Sequence, residues 1–158
     1  MRHLVEHQLS IAVLQPQIAP NTGNIARLCV ATKTALHLVR PMGFVLADRE
    51  LKRSAMDYWP RLNLTVHDDD AAFFSAMQQK ILQKKFWLFT SKSERSFWEV
   101  KPSADDCLIF GSETAGLSEA LLKQYPQQTI CIPQTPGERC LNLSTAVGIG
   151  LYRWLEVL

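Results

Sequence analysis

The segment Leu108-Ile-Phe-Gly-Ser-Glu-Thr-Ala-Gly-Leu117 joins a short apolar run to a polar loop that two glycines bracket. The apolar run has the composition of a buried strand, and a helical pattern follows the loop. The serine directly follows Gly111, so the loop is not the GxSxG elbow of hydrolases, and it matches neither a dinucleotide-binding glycine motif nor a P-loop. A strand, a tight turn and a helix in this order form the basic unit of an α/β fold. Taken alone, the loop could equally be a local turn whose Ser, Glu and Thr side chains bond to nearby backbone.

Short β-rich runs alternate with segments of helical periodicity along the whole chain. The predicted strands cover residues 11–14, 35–39, 64–66, 86–89, 108–110 and 129–132. The predicted helices include residues 25–29, 51–58, 73–81 and 117–121, and a last helix runs from about 142 to 158. Alternating strands and helices imply right-handed crossovers and a mostly parallel sheet covered on both faces. The sequence therefore predicts the α/β fold class.

Composition limits the size and the class of the protein. The chain has 158 residues, 47% of them hydrophobic and 20% charged, which suits one core in a single domain over residues 1–158 and excludes disorder as the main state. A formal charge of +2 is too small to indicate a nucleic-acid partner by itself. The four cysteines form no CxxC pair and lie far from the histidines, which argues against a metal site. We expect a cytoplasmic protein with reduced thiols, without a signal peptide or a membrane span.

A second motif, Pro20-Asn-Thr-Gly-Asn-Ile-Ala-Arg27, follows the first strand. Asn21 or Thr22 is predicted to cap the following helix, and Gly23 allows a ligand to approach the backbone. Arg27 lies further along the same helix. A helix N-terminus with a nearby guanidinium suits a phosphate or a ribose oxygen. The alternative is an ordinary capping turn followed by a surface arginine.

A third motif spans residues 130–144, where a strand is followed by a loop with Pro and Gly and then by a strongly apolar helix. Asn142 and Ser144 lie where that helix starts. One of the two can serve as its N-cap, which leaves the other free for a ligand. Gly148 and Gly150 inside the helix predict the close approach of another backbone, either within the chain or across a dimer axis.

The order and spacing of the three motifs resemble the SPOUT superfamily of RNA methyltransferases over nearly the whole chain. The likeness is strongest to the single-domain tRNA ribose 2′-O-methyltransferases of the TrmL or YibK group, which modify the wobble nucleotide; Pro41-Met-Gly-Phe44 agrees as well. The resemblance implies a Rossmann-like sheet whose C-terminal part forms a trefoil knot, with S-adenosylmethionine bound in the knot and no metal. It also implies a homodimer that pairs through the first and last helices and binds tRNA. Because chains are otherwise almost never knotted, the knot rests on the resemblance alone.

The resemblance also assigns roles to residues of this chain. The residues implied for the cofactor site are Phe89, Gly111, Glu113, Ile132, Cys140 and Leu141. Those implied for catalysis are Arg27, Asn142 and Ser144, and those implied for substrate binding are Asn21, Asn24 and Arg53. Since a guanidinium stays protonated in proteins, we expect Arg27 to position and stabilise charge, with a phosphate or water accepting the proton.

The chain departs from the usual motifs of this group at several positions. Cys140 stands where a serine is common, Ala115 where the second motif often carries an arginine, and Lys33-Thr34 replaces a frequent Gly-Phe pair. Further candidate RNA contacts are Arg49, Lys52, Arg61, Lys92 and Arg95, each of which could equally lie on a solvated face. Ribose methylation of another RNA such as rRNA, and a non-catalytic RNA-binding module of the same fold, remain as alternative functions.

Overall fold

A computed structural model describes residues 3–47, 49, 51, 53 and 56–158. Its strands are β1 (Ser10–Leu14), β2 (Ala35–Val39), β3 (Leu64–His67), β4 (Phe86–Phe89), β5 (Cys107–Phe110) and β6 (Thr129–Ile130). Its α-helices are α1 (Ala19–Thr32), α2 (Asp70–Ala76), α3 (Gln78–Leu82), α4 (Glu119–Gln124) and α5 (Leu143–Glu156). Short 3-10 helices cover Met56–Arg61, Phe97–Glu99 and Pro126–Gln128.

The six strands form one sheet in the order β3-β2-β1-β5-β4-β6, and every pair is parallel. Side chains alternate between its two faces, as the strand period requires. Ile11 and Val13 pack with α1 and α5 on one face, whereas Ala12 and Leu14 pack with α2, α3 and α4 on the other. The predicted α/β class and mostly parallel sheet are confirmed.

The predicted strands agree with the structure to within two residues, and the differences have local causes. The last strand ends at Ile130, because Cys131 makes an isolated bridge to Ser96. The helical pattern over residues 73–81 is split into α2 and α3 at Met77, whose φ of -90° and ψ of 6° interrupt the helix. The helix predicted at 117–121 starts later, with Ser118 as its N-cap. In the predicted 51–58 helix, residues 52, 54 and 55 lie outside the described residues, and a 3-10 helix begins at Met56.

The last helix, α5, is buried along one face and exposed along the other. Val147, Leu151 and Trp154 are fully buried, whereas Ile149 is 38% and Tyr152 53% exposed. The strongly apolar composition of this helix is therefore matched by burial over only part of its surface within the chain. Among the described residues, no helix is long and apolar enough to cross a membrane.

The close backbone approach predicted at the two glycines of α5 is wrong within this chain. A Cβ at Gly148 would meet only the Leu28 side chain, at 3.9 Å. A Cβ at Gly150 would come within 3.2 Å of the Phe89 ring and 3.3 Å of the Phe110 ring. Gly150 thus makes room for two aromatic side chains rather than for a backbone.

A buried carboxylate fixes the C-terminal half of α5 to the sheet. Asp106 directly precedes β5 and is 2% exposed. Its Oδ2 accepts hydrogen bonds from the indole N–H of Trp154 at 2.7 Å, the indole N–H of Trp87 at 3.1 Å and the backbone N–H of Ser103 at 2.9 Å. Trp87 and Trp154 are both buried packing residues. Their indole N–H groups donate to the same oxygen of Asp106, and the sequence pattern does not reveal this shared acceptor.

Replacing this acceptor should destabilise the whole fold. In Asp106→Leu two buried indole N–H groups lose their partner, so we expect unfolding free energy to fall by about 2–4 kcal/mol, and by less in Asp106→Asn, which keeps a carbonyl oxygen. Urea unfolding followed by tryptophan fluorescence measures the difference. Asp68→Asn, at an exposed site, is the matched control. An unchanged midpoint for Asp106→Leu would contradict this role.

Candidate active site

A cleft of about 230 Å³ opens at the carboxyl edge of the sheet. Its walls come from the loops that follow β4, β5 and β6 and from the first turn of α5. The carboxyl edge of a parallel α/β sheet is where ligands generally bind. The loops after neighbouring strands meet here because parallel strands all end at the same edge.

All six residues implied for the cofactor site line this cleft: Phe89, Gly111, Glu113, Ile132, Cys140 and Leu141. The Phe89 ring stacks on Phe110, with ring centroids 4.6 Å apart and an interplanar angle of 17°. Cys140 is exposed, and its thiol donates to the Ser91 hydroxyl at 3.5 Å. The structure thus brings together residues that lie up to 52 positions apart, from Phe89 to Leu141.

The loop after β5 folds back tightly on itself. A Cβ at Gly111 would lie 2.0 Å from the carbonyl carbon of Gly116 and 2.3 Å from the amide nitrogen of Leu117, so only glycine fits there. Gly116 has a φ of +64°, which also favours glycine. Ser112 closes the turn by accepting from the backbone N–H of Ala115 at 3.1 Å and of Gly116 at 3.0 Å. The interpretation as a local turn is therefore correct for Ser112.

Glu113 in the same loop acts over a long distance in sequence. Its carboxylate accepts from the backbone N–H of Gln17 at 2.7 Å and of Ile18 at 3.1 Å, and from the Asn21 side chain at 3.3 Å. These groups stand at the start of α1, which has Ile18 as its N-cap, no side-chain cap and no acidic residue in its first turn. A negative charge at this end stabilises the helix. The predicted cap by Asn21 or Thr22 is wrong, because α1 starts at Ala19, before both.

Asn142 joins this arrangement from the other side of the cleft. It is the N-cap of α5, and its Oδ1 accepts from the backbone N–H of Ser144 at 2.9 Å and of Thr145 at 3.3 Å, and from the Ser144 hydroxyl at 2.7 Å. Its amide N–H donates to Asn21 Oδ1 at 2.9 Å. A continuous network therefore runs from Ser144 through Asn142 and Asn21 to Glu113. The sequence suggested that Asn142 and Ser144 act separately, one as the cap and the other as a ligand-binding group. In the structure Asn142 is the cap and the Ser144 hydroxyl donates to it, so the two side chains act together.

Arg27 and Asn24 lie on the exposed face of α1 and do not line the cleft. Arg27 is six residues beyond Asn21, which is about 9 Å further along the helix axis. Its guanidinium lies over the Tyr58 ring, 5.7 Å from the centroid. The Glu113–Asn21 contacts fix α1 relative to the cleft, and with it the direction in which Asn24 and Arg27 project.

The other cationic candidates occupy different environments. Lys92 lines the cleft, and its Nζ is 3.8 Å from Glu119 Oε1. Arg95 lies over the Trp87 ring and donates to the Gln127 carbonyl at 2.8 Å, so it has a structural role. Arg49, Arg53 and Arg61 are exposed, and Lys52 lies outside the described residues. The structure does not bring Arg53 to the cleft.

Sequence reasoning missed two features of the site. Ser91 and Lys92 contribute to the cleft wall, although the resemblance implied only Phe89 from this part of the chain for the cofactor site and Lys92 was expected to contact RNA. The peptide groups of Ile132, Cys140 and Leu141 have no hydrogen-bond partner within the described part of the chain, so they are free to bind a ligand. The unpaired peptide groups could have been anticipated from the Pro and Gly residues of the third motif. A loop of this composition leaves peptide groups outside the hydrogen-bonded pattern of helices and strands.

Comparison with known proteins identifies the family. The model of the SpoU rRNA Methylase family matches residues 8–152. This protein belongs to that family. A tRNA (cytidine(34)-2′-O)-methyltransferase of Escherichia coli (strain K12) is 39% identical over 151 residues, covering 94% of each chain. A solved structure from work on the 2-OH methylation of C/U34 on tRNA is 38% identical, with a TM-score of 0.88 and 96% of each chain covered.

A more distant relative shares the fold alone. The SpoU methyltransferase AviRb from Streptomyces viridochromogenes, solved in complex with the cofactor AdoMet, is 19% identical with a TM-score of 0.82, covering 96% of this chain and 58% of that one. The family match over residues 8–152 confirms the resemblance to RNA methyltransferases that the three motifs indicated.

The contact between Glu113 and α1 gives a testable expectation. Glu113→Gln keeps the size of the side chain but removes the charge, so we expect a loss of about 1 kcal/mol in unfolding free energy and faster hydrogen exchange at the amides of Gln17 and Ile18. Exchange measured by NMR, together with urea unfolding, tests both. Glu138→Gln, in an exposed loop, is the matched control. Unchanged exchange at both amides would show that the carboxylate does not hold α1.

Proposed function

We propose that this protein transfers a methyl group from S-adenosylmethionine to the ribose 2′-hydroxyl of the wobble nucleotide of tRNA, a cytidine or a modified uridine. The main support for the proposal is that the six residues implied for the cofactor site, which come from separate parts of the chain, all line one cleft. This cleft lies beside the hydrogen-bond network that fixes α1. The relatives named for methylation at tRNA position 34 cover nearly all of this chain and support the choice of substrate.

The cleft suits S-adenosylmethionine chemically. Phe89, Ile132 and Leu141 offer apolar walls, and the unpaired peptide groups of Ile132, Cys140 and Leu141 can bind the polar edge of a purine. Lys92 offers a cation for the carboxylate of the methionine part. When bound, this cofactor supplies a methyl group on a positively charged sulfur. The AdoMet complex of AviRb, which shares the fold, is consistent with this assignment.

The residues of α1 and α5 would orient the acceptor ribose. A neutral hydroxyl is a weak nucleophile, so catalysis needs positioning and stabilisation of the charge that develops on its oxygen. Arg27 would supply that stabilisation and bind a substrate phosphate, while a phosphate or water accepts the proton. Asn24, which is exposed on α1, would contact the substrate. Asn21 is buried and its amide already bonds to Glu113 and Asn142, so the contact implied for Asn21 would need this network to rearrange when RNA binds. Asn142 and Ser144 would hold the ribose site in shape, since their mutual hydrogen bonds already occupy Asn142 Oδ1.

Other expectations belong to the same proposal. The protein would act as a single domain in the cytoplasm and pair as a homodimer through α1 and α5. The exposed apolar side chains Ile149 and Tyr152 on α5, with Gly148 beside them, support such a surface. The trefoil knot stays a prediction. It is supported by the membership of the chain in the SpoU family, for which the resemblance implied the knot.

A second candidate substrate has its own support. The family model that matches this chain is described for rRNA methylation, so ribose methylation of rRNA is the alternative reaction. A non-catalytic RNA-binding role is a third possibility, which the presence of Arg27, Glu113 and Asn142 together argues against.

Mass spectrometry of methylated RNA tests the reaction and the substrate together. Total tRNA and rRNA are incubated separately with the protein and S-adenosylmethionine, digested, and searched for ribose-methylated fragments. We expect a methyl group on the wobble nucleotide of tRNA and none on rRNA. Methylation confined to rRNA would establish the alternative substrate, and methylation of neither would leave an RNA-binding role.

Arg27→Ala provides the catalytic control for this assay. Loss of one charge-stabilising donor should reduce kcat on the order of 100-fold. Arg27→Lys should restore part of the rate, because it keeps the charge without the bidentate geometry. Turnover of Arg27→Ala equal to the parent would contradict the mechanism without contradicting the reaction.

Cofactor binding can be measured separately through Cys140. Burial raises the pKa of the Cys29 thiol to about 12 and that of Cys107 to about 11, and it also raises the pKa of Cys131, whereas Cys140 is exposed in the cleft. Iodoacetamide should therefore label Cys140 first. S-adenosylhomocysteine at ten times its Kd should slow this labelling about tenfold. Cys140→Ser is the control for site selectivity, and an unchanged rate under saturating ligand would place the cofactor elsewhere.

A further inference from the structure

A second cavity, of about 410 Å³, lies at the carboxyl edge of the sheet between β1 and β5. These two strands are neighbours, yet the chain after β1 forms α1 on one face and the chain after β5 forms α4 on the other. Such a point of divergence opens a crevice where ligands bind in α/β sheets. The cavity shares the wall 115–117 with the cleft but lies against α2 and α4.

The lining of this cavity favours a neutral planar ligand with polar edges. Phe74, Leu121 and Tyr125 offer apolar and aromatic surface, and Gln15, Asp70 and Gln124 offer amide and carboxylate groups. No Lys, Arg or His is among the described residues that line it, which disfavours a phosphate or a carboxylate. A nucleobase has the matching chemistry, with a face for apolar contact and an edge for hydrogen bonds.

Backbone strain points to the same place. Gln15 has a φ of 58°, an unusual conformation for a residue other than glycine. Its backbone N–H donates to the Val39 carbonyl at 2.9 Å, and its side-chain Nε2 lies 3.4 Å from both carboxylate oxygens of Asp70. Strain of this kind costs about 1–3 kcal/mol and is concentrated at ligand-binding positions. Here the strained residue meets the carboxylate at the cavity wall.

The carboxylate selects among the bases. Asp70 accepts hydrogen bonds, so it matches the exocyclic amino group of cytosine or adenine and not the carbonyl oxygen that uracil has at the corresponding position. The Gln15 and Gln124 amides, which both donate and accept, can satisfy the remaining polar edge.

We propose that this cavity binds an amino-bearing nucleobase of the RNA, with Asp70 as the residue that discriminates it from uracil. The inference rests on the proposed function, because the cavity and the cofactor cleft share the wall 115–117, so a strand whose ribose is held beside the cleft would bring a base to the cavity. The base is either that of the methylated nucleotide, where Asp70 would favour cytosine over uracil without excluding a modified uridine, or that of its neighbour. In either case the amino group of the base would donate a hydrogen bond to the Asp70 carboxylate.

The test compares the parent with Asp70→Asn on anticodon stem-loop RNAs. The RNAs carry C or U at the methylated position, and C or U at the positions directly before and after it. We expect Asp70→Asn to reduce kcat/KM about tenfold for RNAs with cytosine at one of these positions and less than twofold for the matching uracil RNAs. Dependence on the methylated position assigns the cavity to that base, and dependence on a flanking position assigns it to the neighbour. Both outcomes support the proposal.

Matched controls separate this inference from the proposed function and from misfolding. Asp68→Asn, two residues earlier and exposed, should leave all rates unchanged. Thermal melting checks that Asp70→Asn is folded, and Gln124→Leu, which alters the opposite wall, gives an independent second variant. If the parent methylates RNA but both variants lose activity equally on cytosine and uracil RNAs, or lose none, the cavity does not read a base. If the parent methylates no RNA, the proposed function fails and this inference fails with it.

Discussion

The arrangement of the site depends on one carboxylate that binds the start of a helix from another part of the chain. Glu113 follows β5, yet its two oxygens accept from the backbone N–H groups of Ile18, the N-cap of α1, and of Gln17 just before it, and α1 itself lacks a side-chain cap. A helix without its own cap leaves unpaired N–H groups, and a negative charge there is favourable. The loop that forms the cleft wall and the helix that carries Arg27 are therefore positioned by the same side chain.

The same coupling extends to α5, which is held at both ends. At its start, Asn142 caps the helix and bonds to Asn21, and through Asn21 it is linked to Glu113. Near its end, Trp154 donates to the buried Asp106 carboxylate in front of β5. A helix fixed at two points cannot shift along its axis without breaking buried hydrogen bonds, which are costly to leave unmade. The first turn of α5, which lines the cleft, is thus held in part by the contact between Trp154 and Asp106 at the opposite edge of the sheet.

Local patterns predicted the strands well and the long-range contacts poorly. The run at residues 86–89 is apolar on both faces, which is typical of a central parallel strand, and it is β4 in the structure. Asn21 was predicted to cap its own helix, which is reasonable from local chemistry, but its amide instead joins Glu113 and Asn142, 92 and 121 residues away. Only the strand order, with β5 beside β1, places those residues together. The motif resemblance assigned Glu113 to the cofactor site, Asn142 to catalysis and Asn21 to substrate binding, and did not indicate that the three side chains bond to one another.

The loop between Gly111 and Gly116 has to serve two cavities at once. One side of it closes the cleft with Phe89, and the other faces Leu14 and Gln15 at the end of β1. The turn is too tight to tolerate a side chain at Gly111, so its two sides cannot adjust independently. A ligand that orders one side would therefore also order the other.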